Sequence, residues 1–173
     1  MKLVCPSRAV ALRYAPMVFL LVSAALLLTV YLFQHVGGLE PCRLCVAQRY
    51  PHFAVLGLGL VAMVLARHRP WLLSGLLLAI AAAYLTGAGY AAFHVGVELG
   101  HFQSACAGGE GGASSIDDLR QRILKAPLAR CDDVPWRLGL SMAGWNGVLG
   151  VVLGLAALYA GLLAFCQART RAQ

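Results

Sequence analysis

Two cysteines three residues apart, Cys42 and Cys45, stand in the stretch EPCRLCVAQRY, and Arg49 follows the second by four residues. Two thiols at this spacing can close a disulfide, supply half of a metal site, or exchange electrons with another dithiol. Covalent haem attachment would need a histidine directly after the second cysteine, and Val46 stands there. The pair falls just before or within the first turn of a helix. There, unpaired N–H groups and a partial positive charge favour a thiolate, the species that attacks. On a continuous helix Arg49 shares a face with Cys45, and a nearby cation lowers a thiol pKa further. An arginine at a membrane edge can also simply snorkel toward lipid phosphates.

A second pair, Cys106 and Cys131, lies far downstream with its members well separated. Zinc ribbons usually bring two closely spaced pairs, so four-cysteine zinc is the weakest reading, and no metal site is expected. Two structural disulfides and a redox relay both remain open. Cys106 precedes AGGEGG, a flexible stretch. It suits a thiol that another protein must reach, and it equally suits an ordinary surface loop. It lacks the Lys-Ser/Thr ending of a phosphate loop.

The elements that must position these residues are apolar. The chain of 173 residues is 60% hydrophobic and 12% charged, with mean hydropathy +0.74; soluble domains carry about 25% charge. Four uncharged or nearly uncharged runs predict transmembrane helices at about 15–34, 46–66, 71–96 and 145–166. Each is long enough for a crossing of ~20 residues, and none alternates as a strand would. The first is longer than a signal-peptide core and no small-x-small site follows it, so it is expected to be retained. The fold class is thus an all-α membrane protein, a four-transmembrane-helix bundle forming one domain over 1–173. Gly75, Ala79, Ala83, Gly87 and Ala91 make a small-residue stripe, and Gly150 and Gly154 a GxxxG, both devices for close helix approach in lipid. A short amphipathic surface helix is expected over 114–125, capped by Ser114 or Ser115 and stopped by Pro127.

The formal charge is +7. Its placement argues against nucleic acid. The segment before the first run, the tight second connection and the tail carry basic residues only, among them Arg13, Arg69 and Arg169, while every acidic residue lies on the other face. By the positive-inside tendency both termini are cytoplasmic, and the loops at about 35–45 and 98–144 lie outside. Cys42, Cys45, Cys106 and Cys131 then share the face where disulfides persist, whereas Cys5 and Cys166 fall on the side where thiols stay reduced.

EPCRLCVAQRY, the cysteine pair in one long second loop, and ARCDDVPWRLGLSMAGWNGV leading into the last helix together resemble the DsbB family of bacterial disulfide-bond formation proteins, over nearly the whole chain. The resemblance implies an enzyme of the bacterial inner membrane, a quinone-dependent thiol oxidoreductase. A reduced DsbA-like thioredoxin-fold periplasmic protein would give its electrons to Cys106 and Cys131, with Cys106 forming the mixed disulfide. Cys42 and Cys45 would receive them and pass them to ubiquinone or menaquinone. It further implies Cys45 as a thiolate facing the quinone, with Arg49 and His94 beside it. SMAGWN departs from the family, which often has proline after the methionine, and Arg43 stands where apolar residues are common. The competing class is a non-catalytic membrane assembly protein whose loops are stapled by disulfides.

Overall fold

A computed structural model of the chain describes residues 9–66, 69–104, 106, 115–117, 120 and 129–171. Helix α1 spans Ala9–His35, α2 Arg43–Ala47, α3 Tyr50–Leu65, α4 Pro70–Glu98 and α5 Met142–Arg171. Before α5, β1 (Arg137–Leu138) and β2 (Leu140–Ser141) form a two-residue antiparallel ladder turning at Gly139, whose φ of 73° is in the left-handed region. The architecture is all-helical otherwise. Among the described residues four stretches are long and apolar enough to cross a membrane: Leu12–His35, Arg43–Leu65, Pro70–Glu98 and Met142–Arg171.

The second crossing differs from the single helix expected over 46–66. It breaks at Gln48–Arg49 into α2 and α3. Pro51 is the cause: it has no N–H to give the carbonyl of Ala47, and it disfavours helical geometry in the residue before it. Arg49 N–H turns instead to Val46 O at 3.0 Å, an i−3 bond. The expected surface helix over 114–125 lies largely outside the described residues.

Small residues set the packing. A side chain at Gly150 would meet Ala88 Cβ and Tyr84 O at 3.2 Å, and one at Gly154 would meet Leu85, so the GxxxG lies on α4 as expected. The α4 stripe, by contrast, does not act as one seam. Gly87 receives Pro51 of α3 at 3.2 Å, Ala91 faces Gly147 of α5, and Gly75 has open space around it. A straight helix has 3.6 residues per turn, so a repeat of four drifts around its surface and meets different neighbours. The core between the helices holds Val55, Leu77, Ile80, Tyr84 and Ala157.

Two local devices aim the ends at the site. Gly100 (φ 74°) closes α4: its N–H bonds Val97 O at 3.0 Å and His101 N–H bonds Gly96 O at 2.8 Å, the double bond of a Schellman ending. Phe102 then folds back over Gly96 and stacks on Phe93, ring centroids 5.4 Å apart. At α5, Ser141 Oγ accepts from Gly144 N–H at 3.1 Å as an N-cap, and Trp145 Nε1 donates to Leu138 O at 3.0 Å.

Candidate active site

Cys42 is the N-cap of α2. Its extended backbone (φ −73°, ψ 170°) turns the sulfur back over the helix start, where it accepts the Cys45 N–H at 3.2 Å. The helix start thus acts on Cys42 rather than on Cys45. The two sulfurs are unbonded and 2.7 Å apart, a small closure from the ~2.05 Å of a disulfide. His94 Nε2 lies 3.7 Å from Cys42 Sγ. The hydrogen bond shared with the Cys45 thiol, then those from His94 and the Cys45 N–H, hold the Cys42 thiol down at about 4, against the opposing effect of burial.

Cys106 and Cys131 are joined in a disulfide, so a four-thiolate zinc site has no second pair. The bond is not on a free surface. Cys106 and Cys131 are 3% and 0% exposed and pack with Cys42 and Val97 in one apolar cluster covered by Leu44 and Ala129. Val97 at the end of α4 and Leu44 at the start of α2 pack against it. Cys131 N–H bonds Cys106 O at 2.9 Å, and Cys131 O in turn faces His94 Nε2 at 3.2 Å. His94 therefore touches both cysteine pairs. Cys166, expected from the sequence as a reduced thiol, is disulfide-bonded.

Beside the cysteines is a cavity of ≈ 390 Å³. Apolar side chains such as Leu27, Val30, Phe33 and Leu149 form most of its wall, and Cys45, Arg49, Gln48, His52, His94 and Asn146 converge on it. Cys45 lines it and Cys42 does not: Cys42 lies within the disulfide cluster, and Cys45 packs against that cluster while also reaching the cavity.

Arg49 reaches this cavity by another route than a shared helix face. The break after α2 swings it toward α1, where Nη1 donates to Gln34 Oε1 at 2.9 Å and the guanidinium lies over the Tyr31 ring, 5.0 Å from its centroid. Gln34 and Tyr31 are functional neighbours that sequence reasoning missed. Their only signal was position at the end of the first apolar run nearest the cysteine loop.

The model of the family described as Disulfide bond formation protein DsbB matches residues 12–160. The chain belongs to the DsbB family. Among curated DsbB relatives, Disulfide bond formation protein B of Marinobacter nauticus is 37% identical over 155 residues, covering 78% of this chain and 84% of the relative. The protein of the same name from Xanthomonas euvesicatoria pv. vesicatoria is 35% identical over 156 residues, covering 84% and 87%. That of Nitrosococcus oceani is 31% identical over 134 residues. DsbB membership and four membrane-capable helices together make this a multi-pass membrane protein of disulfide-bond formation.

Proposed function

We propose that this chain is a quinone-dependent thiol oxidase of the bacterial inner membrane that reoxidises a DsbA-like periplasmic dithiol protein, with both termini cytoplasmic and residues 1–173 forming one membrane domain. The observation that carries the proposal is that one histidine bridges two cysteine pairs while one sulfur of the nearer pair opens onto a mostly apolar cavity. A staple for loops needs neither.

The cavity fits the cofactor class. A volume of ≈ 390 Å³ lies in the range of small-molecule sites, and a few polar groups converging on apolar walls suit a flat ring carrying two carbonyl oxygens. Ubiquinone and menaquinone share that chemistry. When bound, a quinone supplies a sink for two electrons and two protons. Arg49, pinned by Gln34 and Tyr31, would offer fixed donors to one edge, and His94 and Cys45 would stand at the wall.

The steps performed by the chain follow from the cluster. A partner thiolate attacks Cys106 Sγ and releases Cys131 as a thiolate. Because Cys106 is buried, docking of the partner must uncover it. With Cys42 and Cys45 oxidised to a disulfide, Cys131 attacks Cys42, its neighbour in the cluster, and Cys45 leaves as a thiolate at the cavity. The partner's second thiolate then resolves its mixed disulfide with Cys106, and the freed Cys106 thiolate attacks Cys131, restoring their disulfide and releasing Cys42 as a thiolate. His94 holds the Cys131 carbonyl and the Cys42 sulfur in one place throughout. The membrane-edge location lets a lipid-soluble oxidant reach sulfur without leaving the bilayer.

The test mixes purified full-length protein with reduced DsbA-like protein and a soluble quinone, following quinol absorbance and thiol loss together. One thiol pair should disappear per quinol formed, and Cys45→Ser should abolish turnover. Quinol formation without matching thiol loss, or full turnover in Cys45→Ser, would end the proposal.

A further inference from the structure

Beyond the cysteines, a line of polar side chains runs through the centre of the bundle. His94 Nε2 faces Cys131 O at 3.2 Å, and His94 Nδ1 faces Gln48 Nε2 at 2.7 Å. Gln48 Oε1 accepts from Asn146 Nδ2 at 2.7 Å, and Asn146 Oδ1 faces His52 Nε2 at 3.1 Å. His52 Nδ1 faces Ser23 Oγ at 3.3 Å, Ser23 Oγ faces Tyr84 OH at 2.8 Å, and Tyr84 OH donates to Phe19 O at 3.1 Å. The chain joins α1, α3, α4 and α5 to the residue that caps α2. Gln48, Asn146, His52 and His94 all line the cavity.

Its two ends are both carbonyl oxygens, which only accept. Between them are seven hydrogen bonds. With both imidazoles neutral, each of the six residues in the line supplies one proton to it, leaving one bond without a proton. The count is the same whichever way the two amides are turned, since each gives one N–H and accepts once on oxygen. One added proton fills every bond. Among the described residues no buried side-chain N or O lacks a partner, and in hydrocarbon an unfilled bond is expensive.

We propose that His94 and His52 share this one excess proton through the Gln48–Asn146 amide pair, and that His52 is the proton donor to an acceptor bound in the cavity. The inference rests on the quinone-oxidase reading above. The amide orientation present here, with Gln48 Nε2 toward His94 and Asn146 Oδ1 toward His52, places both protons of the charged ring on His52. Turning both amides over places them on His94. Oxidation of two thiols to a disulfide releases two protons and two electrons, and reduction of a quinone to a quinol takes up two of each. One of those protons enters at His94, which faces both cysteine pairs. With both amides turned over, oxygen toward His94 and nitrogen toward His52, each takes a proton on oxygen and gives one from nitrogen, and His52 passes one on. The charge has a counterion. Glu98 Oε1 is 3.8 Å from His94 Nε2, with both side chains nearly enclosed. The other groups facing His52 are neutral Ser23 of α1, Tyr84 of α4 and Asn146 of α5. Arg49, one turn away at the start of its own helix, is engaged by Gln34 and Tyr31.

The experiment is imidazole nitrogen NMR on full-length, quinone-free protein labelled at histidine, in lipid nanodiscs above the ordinary histidine pKa. Assignment uses His52→Gln and His94→Gln. Wild type should retain one imidazolium shared by His52 and His94. Tyr84→Phe should lose it, because removing that hydroxyl deletes two bonds and one proton and lets a neutral chain fill every bond. Tyr84 does not line the cavity, so a merely structural role would not change the protonation of the histidines. If Tyr84→Phe fails to fold, Ser23→Ala makes the same change in the count. Both rings neutral in wild type, or an imidazolium surviving in the folded variant, would overturn the proposal. Dithiol-dependent quinol formation, measured separately on the same wild-type sample, reports on the oxidase reading: turnover with neutral rings sinks the shared proton alone.

Discussion

Reduced Cys42 should titrate far below an ordinary thiol, and the shape of the titration carries the information. At a pKa of about 4 the sulfur is almost wholly thiolate at neutral pH, whereas a free thiol at ~8.5 is roughly 3% ionised there. The ionised fraction alone would raise reactivity ~30-fold. Nucleophilicity falls with pKa at a Brønsted slope of ~0.4–0.5, which costs about 100-fold over this interval. The two effects nearly cancel, so an absolute alkylation rate decides little. Between pH 5.5 and 7.5, however, an ordinary thiol gains about 100-fold in thiolate, while Cys42 should gain about a tenth at most. The assay is ultraviolet thiolate absorbance of quinone-free protein with the Cys42–Cys45 pair reduced, taken as a difference from Cys42→Ser. One step is expected near pH 4. His94→Gln should move it upward, since the imidazole is among the groups holding the thiolate. The folded value lies below the unfolded one. The thiolate therefore contributes stability in full above the ordinary thiol range, and that contribution is lost as pH falls toward 4. An absorbance step found only between pH 7 and 9 would refute this geometry, the bond to the Cys45 thiol foremost, as the cause.

Gly96→Ala should destabilise by ~1–3 kcal/mol in a denaturation series, because the new Cβ would lie 2.3 Å from the Phe102 ring. Gly75→Ala, with open space around it, should be neutral or stabilising by up to ~1 kcal/mol; equal losses in both would refute the packing argument. Arg49→Lys should weaken quinone binding about as much as Arg49→Met, since an ammonium cannot keep both the Gln34 bond and the Tyr31 stack. Quinone titration by fluorescence quenching would show it, and full rescue by lysine would count against that geometry. In Cys131→Ala the free Cys106 thiolate should attack the disulfide of an oxidised DsbA-like protein, and the mixed disulfide should accumulate on a non-reducing gel. The double variant lacking Cys106 as well should not.

Much of this was legible in the residues. Uncharged runs of sufficient length dictated four membrane-capable helices, because hydrocarbon tolerates only a backbone that satisfies itself. The CxxC, the second cysteine pair and Arg49 were visible as reactive types near the ends of those runs. Gly150 and Gly154 foretold close approach, because only a missing side chain permits it. The sequence did not contain the burial of the Cys106–Cys131 pair against Cys42, or the break at Pro51 that brings Arg49 to Gln34 and Tyr31. His94, Asn146, His52 and Ser23 come from four different helices and Gln48 from the break between α2 and α3, and no local pattern marks them as one line. Spacing records what one element can do alone, since its period fixes which side chains share a face. Which faces meet depends on how helices pack against each other, and that is where the disulfide cluster, the cavity and the polar chain were decided.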